Sequence, residues 1–137
     1  PARVVARLTE ALDRRSGRPL GGARVLVVGL AYKKNVPDIR ESPSLKLIEL
    51  IEARGGEAAY HDPFVPVIPK TRAYGPLMGR PSVPLDAATV AGFDAVLIST
   101  DHDGLDYAGI AEWAPLIVDT RNAFARRGIT SDRIVKA

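Results

Sequence analysis

The chain has 137 residues, 46% of them hydrophobic and 26% charged, and a net charge of +3. It is long and apolar enough for one core, which excludes disorder, and the absence of cysteine excludes a disulfide scaffold, a thiolate metal site and a thiol nucleophile. The charge is too small and dispersed for a nucleic-acid partner, no apolar run nears the roughly 20 residues of a membrane span, and His61 and His102 lack metal-ligand spacing.

Residues 2–15 predict a helix with Val4, Val5, Leu8, Ala11 and Leu12 on one face, ended by Ser16-Gly17 and Pro19. Residues 23–30 (ARVLVVGL) form a continuous apolar run closed by glycine, the pattern of a strand buried on both faces. Residues 31–44 read as a polar loop interrupted by Pro37 and Pro43. Ser42 is the expected N-cap, with Pro43 at the first helical position. The amphipathic helix that follows, over 44–55, has Leu45, Leu47, Ile48 and Ile51 as its buried stripe. A second strand is expected over 57–63. Residues 62–84 hold six prolines, which exclude regular structure over most of the stretch. A loop this long in a compact domain is more often functional or contact-making than idle. A short helix over 86–93, a strand over 94–100, a helix over 107–113 and a strand over 115–120 follow, and 133–136 adds an edge strand.

Short β-branched strands alternating with helices predict an α/β fold: a Rossmann-like, doubly wound parallel sheet in three layers, preceded by a helix. Residues 1–18 are assigned to that helix and 19–137 to the sheet domain. A start at Pro1 rather than Met, with no signal-peptide pattern, reads as a fragment or processed form, and the lack of cysteine fits a reducing compartment.

Ligands of such a sheet bind beyond the carboxyl ends of its strands. The four strand exits (GLAYKKNVPDIRES, HDPFVP, STDHDG and DTRNAF) put Lys33, Lys34, Arg40, Asp62, Asp101, Asp119 and Arg121 on one rim. Lysine supplies a point charge and arginine a planar fork that matches phosphate oxygens, so this rim suits a diphosphate. Tyr32 and Phe64 could offer flat faces to a base. The first exit is not a dinucleotide fingerprint. The second glycine of G-x-G-x-x-G lets backbone approach a pyrophosphate, and Ala31 stands in its place. Any one of these residues alone is equally well explained as solvated, and Arg40 as paired with Asp38 or Glu41. Convergence at one sheet edge decides between the readings. Asp38 is expected to brace its loop, Asp62 and Asp119 to cap turns, and His61 and His102 to be surface or turn residues.

The first exit carries the pattern G-x-A-[YF]-K-x-x-x-x-D-x-R-x-S, and the run continues through HDPFVP, DAVLISTDHDGLDY and LIVDTRNAF. Over residues 20 to about 126 it resembles the C-terminal, UDP-binding domain of the UDP-glucose/GDP-mannose dehydrogenase family. It is most similar to the bacterial branch acting on UDP-N-acetylhexosamines (UDP-GlcNAc and UDP-ManNAc). The resemblance implies a cytoplasmic enzyme of polysaccharide biosynthesis that oxidises the sugar C6 alcohol to a carboxylate in two NAD-dependent steps, through a cysteine thioester. It implies that Lys33 and Arg121 contact the UDP-sugar, that Tyr32 lines the same pocket, and that Arg40 reaches the phosphates of NAD. The cofactor is then bound mainly by an N-terminal domain, and residues 1–18 are the end of a central linker helix through which the full-length protein forms a homodimer. Without that domain and the cysteine, the chain alone is expected to bind and not to turn over. A stand-alone nucleotide-binding module and a subunit-contact element are the competing classes.

Overall fold

Helix α1 (Ala2–Ser16) buries Val5, Leu8, Ala11 and Leu12, the stripe its periodicity predicts, and ends where Gly17 turns left-handed at φ 59°. The computed structural model describes all residues, 1–137. Five parallel strands follow: β1 (Arg24–Val28), β2 (Glu57–His61), β3 (Ala95–Ile98), β4 (Ile117–Asp119) and β5 (Ile134–Lys136), with order β2-β1-β3-β4-β5. Helices α2 (Pro43–Ala53), α3 (Ala87–Ala91) and α4 (Tyr107–Trp113) connect the first four in chain order, and a 3₁₀ turn, Ala125–Arg127, leads to β5. β1 is shorter than its apolar run because Gly29 takes φ 88° and turns the chain out of the sheet.

Side chains alternate across the sheet. Val25, Val27, Leu97 and Val118 pack with α1 and α2, while Leu26, Val28, Val96, Ile98 and Ile117 pack with α3 and α4. This is the three-layer, doubly wound α/β architecture expected from the sequence. α1 covers the half of the first face that α2 leaves open, touching both α2 and β4. Leu8 is wholly buried there, so Leu8→Ala is expected to cost about 2–5 kcal/mol, read as a lower urea midpoint at unchanged slope.

Ser42 caps α2 as expected. Its hydroxyl accepts the Ser44 N–H at 3.1 Å, with Pro43 in the first turn. The proline-rich stretch forms one 3₁₀ turn, Gly75–Leu77, and a bridge between Val67 and Pro81. It is held onto the domain by Tyr60, whose hydroxyl donates to the carbonyls of Val65 (2.8 Å) and Arg80 (3.2 Å). A two-pronged Arg80–Glu52 pair ties it to α2. No helix is long and apolar enough to cross a membrane.

The strand order sets a topological switch point between β1 and β3. From β1 the chain turns to β2 at one edge, then crosses back to β3 and continues to β5. The connections leaving β1 and β3 therefore diverge and open a crevice between the two strand ends.

Candidate functional site

At the crevice the exits of β1 and β3 lie against each other. A side chain on Gly29 would place its Cβ 2.2 Å from the Thr100 carbonyl oxygen, so only glycine fits. The Thr100 hydroxyl donates to the Ala31 carbonyl at 2.6 Å, and Ser44 donates to the Gly29 carbonyl at 3.0 Å.

Beneath the crevice lies a buried carboxylate. Asp62 Oδ2 accepts the N–H groups of Leu30 (2.7 Å) and Ala31 (3.0 Å), and Oδ1 accepts that of Phe64 (2.8 Å). His102 Nε2 donates to the same Oδ2 at 2.8 Å. Burial works to raise the pKa of Asp62, but the bonds from His102, Leu30, Ala31 and Phe64 outweigh it and hold the group below the ordinary carboxylate range. The Leu30 and Ala31 amides, which a glycine-rich loop would turn toward a pyrophosphate, are thus occupied by a protein carboxylate. Those two amides are closed to a phosphate at this sheet edge, which leaves the side chains above them as its charged partners.

His102 was expected at the surface or in a turn; it is completely buried. Its Nδ1 accepts the Asn35 N–H at 2.7 Å, so with Nε2 donating to Asp62 the ring is neutral and fixed in one tautomer. Phe64 covers the ring at 4.8 Å between centroids. The Tyr107 hydroxyl donates to the His102 carbonyl at 2.6 Å, and burial pushes that phenol up to about 12, keeping it a donor. His61 is partly buried, with Nδ1 bonded to the Val83 carbonyl at 2.7 Å. The sequence singles out neither partner of the Asp62–His102 pair for this role. The only signal was the density of polar groups in HDP and TDHD at two strand exits.

Above this layer, Tyr32, Lys33, Lys34, Thr100, Asp101, Arg121 and Arg126 line a cleft of about 390 Å³. The loops after β1, β3 and β4 each contribute. The Lys33 ammonium has no ion-pair partner, while Lys34 lies 3.8 Å from Asp103 and Arg126 pairs with Asp101. The Asn35 side-chain bond, and then Lys34, hold the Asp103 carboxyl below its usual range. Arg121 Nε donates to the Ser99 carbonyl at 2.8 Å, which fixes the guanidinium and leaves its two NH₂ groups without a protein acceptor. Asp119 sets the turn that carries it, accepting the N–H groups of Arg121 (2.9 Å) and Phe124 (3.2 Å). Lys33 and Arg121, the two cations left without a carboxylate partner, make the cleft electropositive and chemically suited to an anion.

Tyr32, Lys33 and Arg121 therefore meet at one cleft, and Arg40 does not join them. Arg40 lines a larger neighbouring cleft of about 990 Å³, between its own loop and residues 69–74. There it pairs with Asp38 in a two-pronged contact, Nε–Oδ1 3.0 Å and Nη2–Oδ2 2.9 Å. Those bonds hold the Asp38 carboxyl down to about 2, and Asp38 braces the loop as expected.

Fold and cleft together define a doubly wound α/β domain with an electropositive cleft at its switch point. Residues 26–126 match the model of the UDP-glucose/GDP-mannose dehydrogenase family, UDP binding domain, and the chain belongs to that family. The matched region contains every residue of the 390 Å³ cleft. The UDP-N-acetyl-D-mannosamine dehydrogenase of Pyrococcus horikoshii is 34% identical over 102 residues, which are 74% of this chain and 21% of that protein. The UDP-glucose 6-dehydrogenase AglM of Haloferax volcanii is 32% identical over 130 residues, 93% of this chain and 28% of its own length. Among solved structures, the UDP-D-ManNAc dehydrogenase of Pyrococcus horikoshii superposes with a TM-score of 0.75 at 28% identity, covering 99% of this chain and 30% of that one. The chain spans less than a third of the length of these relatives.

Proposed function

We propose that the chain is the UDP-sugar-binding domain of an NAD-dependent UDP-sugar 6-dehydrogenase. Lys33 and Arg121 neutralise the diphosphate and Tyr32 lines the pocket beside them. The observation that carries this reading is the meeting of the unpaired Lys33 ammonium and the Arg121 guanidinium, 88 positions apart in sequence, at the one crevice the strand order opens. Arg121 is held by Ser99 before ligand arrives, so little of its side-chain entropy is lost on binding.

The oxidation falls outside this chain. A thioester requires a thiolate and the chain has no cysteine. The first strand exit also has its Leu30 and Ala31 amides occupied by Asp62 and lacks the second glycine of a dinucleotide loop, so NAD is held mainly by another domain. Arg40 reaches the cofactor's phosphates from the neighbouring cleft, its guanidinium lying on the solvent side of the Asp38 pair with 87% of the side chain exposed. NAD, when bound, accepts hydride from the sugar carbon. The contribution of this chain is to anchor the remote half of the substrate, binding energy that a dehydrogenase uses at the reacting carbon. In the full-length protein residues 1–18 close a central helix, and the assembly is a cytoplasmic homodimer.

Calorimetry of the chain with UDP tests the reading. Each of Lys33→Ala and Arg121→Ala removes a charge-assisted contact of about 1.5–3 kcal/mol, so affinity is expected to drop by about ten- to a hundredfold. Binding should also weaken as salt is raised. Unchanged UDP affinity in both variants sinks the assignment.

A further inference from the structure

Lys33 and Lys34 span two anchor points. On one side Ala31 is fixed by Asp62 through its N–H and by Thr100 through its carbonyl. On the other side Asn35 sits at φ 63°, a left-handed conformation, held by its N–H on His102 Nδ1 at 2.7 Å. The Asn35 side chain adds a reciprocal pair with Asp103: Nδ2 donates to the carboxylate at 2.8 Å, and Oδ1 accepts the Asp103 N–H at 2.9 Å. Tyr32 N–H, bonded to the Asp38 carbonyl at 2.7 Å, is the only further backbone bond between the anchors. The two anchors are not independent. Asp62 Oδ2 holds Ala31 directly and holds Asn35 through the imidazole of His102. One buried carboxylate and one buried ring thus clamp both feet of a two-lysine arch.

We propose that His102 is a positioning residue for ligand binding: by bridging Asp62 to the Asn35 amide it sets the height of the arch and so the place of the Lys33 ammonium over the cleft. This rests on the anion-binding role assigned to Lys33. His102 is wholly buried, 0% exposed, and cannot touch the ligand itself. Its two nitrogens do different work. Nε2–H tethers the ring to the core, and Nδ1 is the acceptor that sets the arch.

Substitutions separate the two nitrogens. An asparagine amide reaches about as far as Nδ1 and a glutamine amide about as far as Nε2. His102→Gln keeps a donor to Asp62 and loses the acceptor for Asn35. His102→Asn keeps an acceptor near Asn35 and loses the tether. Two readouts are taken on the whole chain: hydrogen exchange of residues 32–35 relative to the core strands, and UDP affinity. In His102→Gln the exchange protection of Asn35 is lost while β1 and β3 keep theirs, and UDP affinity falls by about three- to tenfold. His102→Asn retains more of both, even though it is the less stable of the two. Unaltered protection at Asn35 in His102→Gln overturns the proposal. So does equal loss of UDP affinity in both variants in step with their stability. If the wild-type chain takes no UDP, the ligand reading fails by itself, and exchange at Asn35 still decides whether His102 sets the arch.

Discussion

Asp62→Ala should be among the most damaging single changes in this chain, lowering stability at neutral pH by about 3–5 kcal/mol. The carboxylate is 1% exposed and satisfies four donors, the amides of Leu30, Ala31 and Phe64 and the ring of His102. Alanine leaves all four without an acceptor in a region water reaches poorly, and each such orphan costs about 1–3 kcal/mol before relaxation. The effect has a pH signature. The Asp62 group ionises more readily in the folded chain than in the unfolded one, where a value of about 3.9 applies. Its contribution is therefore fully present above the unfolded value and is lost as pH falls through that value and on through the lower folded one. Urea midpoints measured from pH 7 down to pH 3 should decline in the wild type, and the decline should be shallower in Asp62→Ala. Parallel curves would show that Asp62 is not the group responsible.

Gly29→Ala is the second large effect. The added methyl meets the Thr100 carbonyl oxygen at 2.2 Å and the Thr100 Cβ and N at 2.6 Å, two of the three being backbone atoms that no rotamer change can move. Alanine also resists φ 88°. Strain and overpacking together amount to about 4 kcal/mol, unless β1 and β3 part at their ends. If they part, the Thr100–Ala31 and Ser44–Gly29 bonds break and the cleft loses its floor. Thermal unfolding together with UDP calorimetry reads both consequences. A variant that is as stable as wild type and binds equally well would contradict the close approach.

The layout of the sheet was legible because buried parallel strands have a plain signature. The apolar runs ARVLVVGL and DAVLIST became β1 and β3, and Ser42-Pro43 marked the start of α2 at the expected residue. The rim was legible for a related reason: polar residues that follow an apolar strand have only one end of the sheet to occupy. Strand order was not legible, since hydrophobic pattern says which segments are strands and nothing about which are neighbours. The clamp beneath the cleft escaped for the same reason. His102 and Asp62 are 40 positions apart, and a histidine between two aspartates in TDHD looks like a solvated turn until β1 and β3 are placed side by side. Arg40 shares a loop with Lys33, yet the Asp38 pair holds its guanidinium over the neighbouring cleft.

Helix α1 has a mechanical consequence. Val5, Leu8 and Leu12 are fully enclosed against α2 and the sheet, so the glycines at 17, 21 and 22 behave as corners, not as a pivot. Helix and sheet therefore move as one body, and any displacement of α1 carries with it the strand exits that bear Lys33 and Arg121.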